Sequence, residues 1–487
     1  MFANYVFEKS SAAYVKKIII WDIENLMKKE NLADVFLMHD FAVVWYQDDL
    51  DLRLKHTDEV FDLEEKVLLI AKPEQYIPYD VLSKFTQYTL QMNELFPLLN
   101  SEELHNLKRT DKDLLVQVYA KNFSNYKRRE ETKFYVETQV RSRDNVEPYL
   151  SYQLKLLQKQ LEETSTYREW YELARNKAKI EVLAAQYECN TNLEDVNEKF
   201  LTFVKEDYGK LSGVLSKKSP IFVSNAMEYM KDSSNRFVVI VMDGMSEFDW
   251  EILQDSFEGI TYQRDEMFAM IPTTTSISRQ CLLSNKYPSQ LENPWSQSKE
   301  KKEFFECAKA LGFQDNQIGY ERGYDAEFGM FVKCGAVIVN DIDDLVHGQQ
   351  QGRVGMYHDI NTMSKQKKLR KLVDRLIKSG FDIYISSDHG NTPCTGTGRL
   401  MGTGVETETK SKRMVVLKDF ANKEELIEKR NLTEHPKYYL PKEYDYLICP
   451  AGKSFDAKGS DVMSHGGTTI DEVVVPFIKI KAVDNNG

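Results

Sequence analysis

The chain has no CxxC pair; its six cysteines (Cys189, Cys281, Cys307, Cys334, Cys394, Cys449) are scattered through 487 residues. Such spacing excludes a cysteine-based zinc site and offers no disulfide framework, so a reducing cytoplasm is the expected setting. No apolar run approaches the length a spanning helix needs, and the opening MFANYVFEKSSAAYVKK lacks the apolar segment of a signal peptide. No membrane association is therefore expected. Positive charge is also short: 64 Lys+Arg stand against 76 Asp+Glu, a net charge of −12. A global field that would attract nucleic acid is thereby excluded, whereas a local basic groove or bound divalent cations are not. Internal repeats and low-complexity tracts are absent, and histidine is scarce, with eight in all.

What is present divides by texture into three regions. Residues 1–125 read as a small α/β domain, with KKIIIWD, FAVVWY and KVLLIA as short buried strands and Tyr79–Leu99 as a helix. Residues 126–230 are rich in Lys, Glu, Gln, Leu and Tyr and nearly free of Gly and Pro. Leu150, Leu154, Leu157 and Leu161 recur there at helical spacing. This region reads as a helical insert whose charge runs are solvated faces, and Lys217-Lys218-Ser219-Pro220 marks its break from the third region. Residues 231–487 alternate apolar runs (RFVVIVMDG, MFAMIP, AVIVN, FDIYISSDHG, RMVVLKD, YDYLIC, VVVPFIKI) with helical patterns, notably Ser364–Ser379. That alternation predicts an α/β domain with a mostly parallel sheet covered by helices, with ligands at the carboxyl ends of its strands.

Nearly every polar motif sits at such an end. In VVIVMDGMS, Asp243 closes a strand and Gly244 permits a tight turn, a pattern that serves a metal carboxylate or an ordinary turn. In MIPTTTSISRQ, three threonines lie where a strand gives way to a helix beginning near Ser276. A hydroxyl there is either a helix cap or a nucleophile beside amides that favour a phosphate. Asp388-His389 in FDIYISSDHGNT offers an oxygen and a nitrogen ligand suited to zinc or manganese. In VIVNDIDDLVH, Asp343 and His347 share one face of a helix, with Asp344 as the competing carboxylate. His465 precedes a Gly pair in VMSHGGTTIDEVVVPFIKI. Asp243, Asp343, His347, Asp388, His389 and His465, with one threonine, supply ligands enough for two divalent ions, which can clamp the attacking and leaving oxygens of a phosphoryl displacement.

In this order, DG, PTTTSISR, NDIDDLVH, SDHG, SHGG and VVVPF resemble the PglZ branch of the alkaline phosphatase superfamily over roughly residues 236–480. DGMSEFDW and SHGGTTIDEVVVPF carry the likeness furthest. The resemblance implies an alkaline-phosphatase-like fold and a metal-dependent phosphodiesterase or phosphohydrolase with two divalent ions, zinc first and manganese second. It also implies a nucleophile at Thr275, four before Arg279, with Thr273 and Thr274 as competitors. Asp243, Thr275, Asp388 and His389 would hold one ion, and Asp343, His347 and His465 the other. Arg279 would contact substrate phosphate or pack its helix. Threonine where sulfatases carry cysteine or serine argues against a sulfatase. The implied substrates are phosphate esters, nucleotides or nucleic acid, in BREX-type bacteriophage defence. The alternatives are a phosphomonoesterase or phosphomutase, or an assembly component with secondary or lost catalysis that meets defence-system proteins through 126–230. IIIWDIENL and KVLLIAKPEQYIPYDVLSKF resemble the N-terminal part of larger PglZ proteins. Asp22 lacks the Thr and Lys partners of a response-regulator receiver.

Overall fold

The structure is a computed structural model. It describes residues 1–482 apart from 63, 122–123, 215, 401–404, 407–411, 419 and 421. The chain divides into two compact units, Met1–Tyr152 and Gln153–Gly487.

The first unit is built on a four-stranded parallel sheet. Its strands β1 (Lys17–Asp22), β2 (Ala42–Trp45), β3 (Val67–Ala71) and β4 (Thr86–Leu90) lie in the order β2-β3-β1-β4. Tyr79–Leu99 is not one helix. Only Tyr79–Leu82 and Met92–Leu95 are helical, and Thr86–Leu90 pairs along β1. The β-branched and aromatic residues of TQYTL suit a strand, and the second edge of β1 needs hydrogen-bond partners that a helix there would withhold. Asp22 is spent within this unit: its carboxylate accepts from the Leu26 and Met27 amides at 2.7 and 3.0 Å, fastening the turn after β1.

Among its described residues the second unit holds three sheets. The largest has the order β6-β17-β9-β5-β8-β7, from β5 (Phe237–Met242), β6 (Gln263–Phe268), β7 (Ile318–Arg322), β8 (Cys334–Val339), β9 (Asp382–Ser386) and β17 (Val474–Ile480). Only β17 runs against the others. Val238, Ile240 and Met242 of β5 enter a core with Val337 and Val339 of β8 and Ile383 and Ile385 of β9. The same core takes in α2 (Glu247–Leu253), α3 (Asp341–Gly348), α4 (Gly352–Gln366) and α5 (Lys368–Lys378). Val239 and Val241, of opposite parity, are as fully buried, which is what a sheet covered on both faces requires. Helix α5 shows how its sequence fits: Leu369, Leu372, Val373 and Leu376 recur at helical spacing and are all buried. The predicted helix Ser364–Ser379 is interrupted at Lys367, whose φ of 55° ends α4 before α5 begins.

RMVVLKD and YDYLIC do not join the large sheet. They form β12 (Met414–Leu417) and β14 (Asp445–Ile448), antiparallel neighbours in a sheet with β11 (Val405–Glu406) and β13 (Thr433–Glu434). An apolar run announces a buried strand but not its partner, so the pattern could not place them. The third sheet joins β10 (Thr392–Gly396), β15 (Lys453–Ser454) and β16 (Asp461–Ser464). Helix α1 (Tyr167–Gln186), capped reciprocally by Thr166 and Glu169, belongs to this second unit, as does the short helix α6 (Ile470–Val473) before β17.

Candidate metal centre

The polar motifs converge beyond the carboxyl ends of β5, β8 and β9. The Asp243 amide still donates to Val339 in the ladder, and Gly244 then turns with φ of +75°. Its amide donates to Asp388 Oδ1 at 3.3 Å. Ser387 ties the two strand ends further: its hydroxyl donates to the Met242 carbonyl at 2.7 Å and accepts from the Met245 amide at 2.9 Å.

Two ligand clusters result. In each of the sets Asp243, Asp388, His389 and Asp343, His347, His465, one ligand atom per residue lies within 4.8 Å of the others. The sets are neighbours, since the His389 and His465 rings stack with centroids 4.3 Å apart. His389 Nδ1 lies 3.0 Å from the Gly390 carbonyl, and His465 Nδ1 lies 3.0 Å from the Thr273 carbonyl. A carbonyl can only accept, so each Nδ1 carries the proton and each Nε2 presents a lone pair to the cluster, the tautomer a metal ligand needs. His465 Nε2 lies 3.4 Å from Asp343 Oδ1, and His347 Nε2 lies 3.3 Å from Asp343 Oδ2. Asp343, not Asp344, supplies the carboxylate of that cluster.

The three threonines have different surroundings. Thr273 Oγ1 donates to the Gly467 carbonyl at 2.9 Å and accepts from the Gly466 amide at 3.1 Å, so it is spent on the SHGG turn. Thr274 is the extended residue that opens the turn Thr275–Arg279, and among the described residues its hydroxyl reaches only Ser276. Thr275 Oγ1 stands 3.1 Å from His389 Nε2 and 3.4 Å from Asp243 Oδ1. Arg279 is 1% exposed and pairs through Nη1 with Asp243 and through Nε with Glu300 at 2.7 Å. Its guanidinium therefore braces Asp243 from behind. Glu300, held in turn by the Tyr320 hydroxyl, was not signalled by any pattern in the sequence.

Burial and neighbouring charges set the acidity of the clustered groups. Burial pushes the Asp243 carboxyl up to about 8, with Asp388 adding to the rise and Arg279 opposing it. Burial likewise pushes Asp388 up to about 6 against the pull of Arg279. Burial lowers His465 to about 4, keeping it a neutral donor. Burial also works against the Asp343 carboxylate, but His347, His465 and His389 outweigh it and hold the group well below the usual range. Asp388 Oδ2 and Asp343 Oδ1 are buried and accept no hydrogen bond among the described residues. Orphaned carboxylate oxygens, one in each cluster and each beside a histidine Nε2, fit divalent cations.

Asn391 and Asp249 back the candidate centre from behind Gly244. The Asn391 amide donates to the Gly244 carbonyl at 2.8 Å and to Asp249 Oδ2 at 2.6 Å, while Asp249 caps α2 with Ser246. The Ser246-x-x-Asp249 spacing is a legible capping pattern; nothing in the sequence marks Asn391 as its partner.

The family described as the BREX system PglZ alkaline phosphatase-like domain matches residues 221–480. No curated protein matches the chain. Among solved structures, murine ectonucleotide pyrophosphatase/phosphodiesterase 5 is 12% identical, with a TM-score of 0.36 over 50% of this chain and 88% of that one. The human form is 13% identical, with a TM-score of 0.35 over 50% of this chain and 87% of that one. Phosphonoacetate hydrolase from Sinorhizobium meliloti 1021 is 10% identical, with a TM-score of 0.33 over 52% of this chain and 92% of that one. Among the described residues no helix is long and apolar enough to cross a membrane. With more than half of its length inside the matched domain, the chain belongs to the PglZ family of the alkaline phosphatase superfamily.

Proposed function

We propose that this chain is a metal-dependent phosphoric ester hydrolase, a phosphodiesterase in first place, with Thr275 as nucleophile. The observation that carries the reading is the position of Thr275 Oγ1, 3.1 Å from His389 Nε2 and 3.4 Å from Asp243 Oδ1. Its two neighbours in the triplet spend their hydroxyls elsewhere. Asp243, Asp388 and His389, with Thr275, would hold one ion, and Asp343, His347 and His465 the other. The mixed oxygen and nitrogen donors suit zinc, with manganese second. Bound there, the ions supply Lewis acidity and lower the pKa of a hydroxyl or a water.

The chain's own residues do the rest. Thr275 Oγ1 forms a bond to phosphorus as the phosphorus–oxygen bond to the leaving alcohol breaks, the threonine proton going to that alcohol and the rest of the ester staying on Oγ1; water then breaks the phosphorus–Oγ1 bond, its hydroxyl going to phosphorus and its proton to the threonine. Arg279 holds Asp243 in place, and the buried Nδ1–H contacts of His389 and His465 keep both rings oriented. Substrates of this reading are nucleotides, oligonucleotides or cyclic nucleotides, and the family description supports a defence setting. Thr275→Ala should abolish hydrolysis of bis-p-nitrophenyl phosphate with the circular dichroism spectrum unchanged, tested beside the monoester p-nitrophenyl phosphate under a metal screen. Full activity in Thr275→Ala, or loss only in Thr274→Ala, would overturn the assignment.

A further inference from the structure

Behind the His389 side of the centre lies a closed ionic network that the hydrolytic reading does not use. Lys177, on α1, is 1% exposed, and its ammonium donates to Glu181 Oε1 and to Asp471 Oδ1, each at 2.7 Å. Arg353 of α4 completes the square, with Nη2 3.4 Å from Glu181 Oε2 and 3.4 Å from Asp471 Oδ2. Two positive and two negative charges thus balance largely shielded from water, Lys177 fully buried and the other three side chains 10–12% exposed. A buried network of this kind costs desolvation and becomes strongly destabilising if one partner is removed.

What the network grips is the metal-ligand loop. Thr392 Oγ1 reaches Asp471 Oδ2 at 3.4 Å, and Arg353 Nη1 reaches Asn391 Oδ1 at 3.4 Å. Between these and His389, Gly390 donates its amide to the Glu472 carbonyl at 2.9 Å. It sits so close that a Cβ there would lie 1.9 Å from the Asp471 carbonyl oxygen. Asn391 then passes the restraint to the Gly244 carbonyl, beside Asp243. The ligands Asp388 and His389 are therefore held from behind by residues 390–392, which are held by Asp471 and Arg353, which are held by Lys177 and Glu181. Lys177 and Glu181 lie upstream of residue 221, where the family match begins.

We propose that Lys177, with Glu181, is a positioning residue for the Asp243–Asp388–His389 metal cluster, so that the functional metal-binding unit includes α1 and not the family-matched segment alone. The inference rests on the metal-binding reading above. It differs from a plain packing role, which would lower the melting temperature and leave metal affinity in the folded protein unchanged.

The experiment measures zinc affinity of the full-length protein by competition with a chromogenic chelator, alongside circular dichroism and thermal melting. Natively folded Lys177→Met is expected to bind zinc at least about tenfold more weakly than the unsubstituted protein, the scale on which ligand-orienting groups act. Unchanged affinity in folded Lys177→Met overturns the proposal. If Lys177→Met does not fold, Thr392→Val decides, since it removes the hydroxyl contact to Asp471 and leaves the ionic square complete. Weakened zinc binding supports the proposal and unchanged binding overturns it. If the unsubstituted protein itself binds no zinc or manganese, the metal-binding reading fails, and this inference with it.

Discussion

Replacing Asp388 with asparagine separates the structural cost of the candidate metal centre from its proposed role. Cluster oxygens of Asp243 and Asp388 lie within 4.8 Å of one another. Two ionised carboxylates at that separation repel by about 3.5 kcal/mol at an effective dielectric of about 20. Arg279 offsets part of this through its pair with Asp243. Asparagine keeps an Oδ1 to accept the Gly244 amide but removes the charge. In EDTA near pH 9, above the values of about 8 and about 6 to which the two carboxyls are pushed, Asp388→Asn should be more stable than the unsubstituted protein. The gain should be about 1–3 kcal/mol, a rise in melting temperature of several degrees. With excess zinc near neutral pH the order should reverse. A site filled at about a hundred times its dissociation constant adds about 2.7 kcal/mol to the unsubstituted protein, and the variant lacks a ligand for it. Differential scanning fluorimetry in both buffers, with metal analysis of the dialysed proteins, reads both signs. A variant that melts lower in EDTA, yet gains as much from zinc as the unsubstituted protein, would refute the reasoning.

Three further outcomes rest on particular contacts. Arg279→Met leaves Asp243 and Glu300 without their shared guanidinium and should cost about 3–5 kcal/mol in urea denaturation, whichever substrate is hydrolysed. Gly390→Ala forces a methyl group against the Asp471 carbonyl, so the loop must shift and the protein should lose bound metal before it loses helix content, read by metal analysis and circular dichroism. His435 is buried, its Nδ1 accepts the Lys437 amide, and burial holds it down at about 4. The unfolded chain takes up that proton near 6.5, so His435 should withdraw about 2 kcal/mol of stability as pH falls from about 7 to about 5. His435→Gln should flatten that part of the profile, and an unchanged slope in chemical denaturation would show the histidine to be protonated in the fold.

How much of this was legible in the sequence depends on the kind of information required. The candidate ligands could be read because chemistry confines them: Asp243, Asp388 and Asp343 come after apolar runs, and strand ends of a covered parallel sheet are where the chain is open to ligands. The four-residue spacing of Asp343 and His347 needed only helix geometry. The different surroundings of Thr273, Thr274 and Thr275 were not legible on local grounds, because they depend on which hydroxyl the distant SHGG turn consumes. Arg279 was ambiguous for the same reason: Glu300, its second partner, comes from a segment with no distinguishing pattern. Tyr79–Leu99 misled because a tertiary demand, the open edge of β1, outweighed local helical periodicity. The separate sheet of β12 and β14 was hidden because apolarity reports burial and not pairing.

The threonine triplet has a consequence beyond the identity of a nucleophile. Its first member is tied to the turn that carries His465, its second sets the bend, and its third faces His389 and Asp243. The three residues thus work as a ruler between two anchored points. Substitution at any one of them removes a single hydroxyl, because the other two keep the register. An insertion or deletion of one residue is different in kind: it would slide Thr275 off one cluster or pull His465 out of the other. Length is the least negotiable property of this segment, and variants of PTTTS that keep side-chain chemistry but change spacing should be the ones that never recover a working centre.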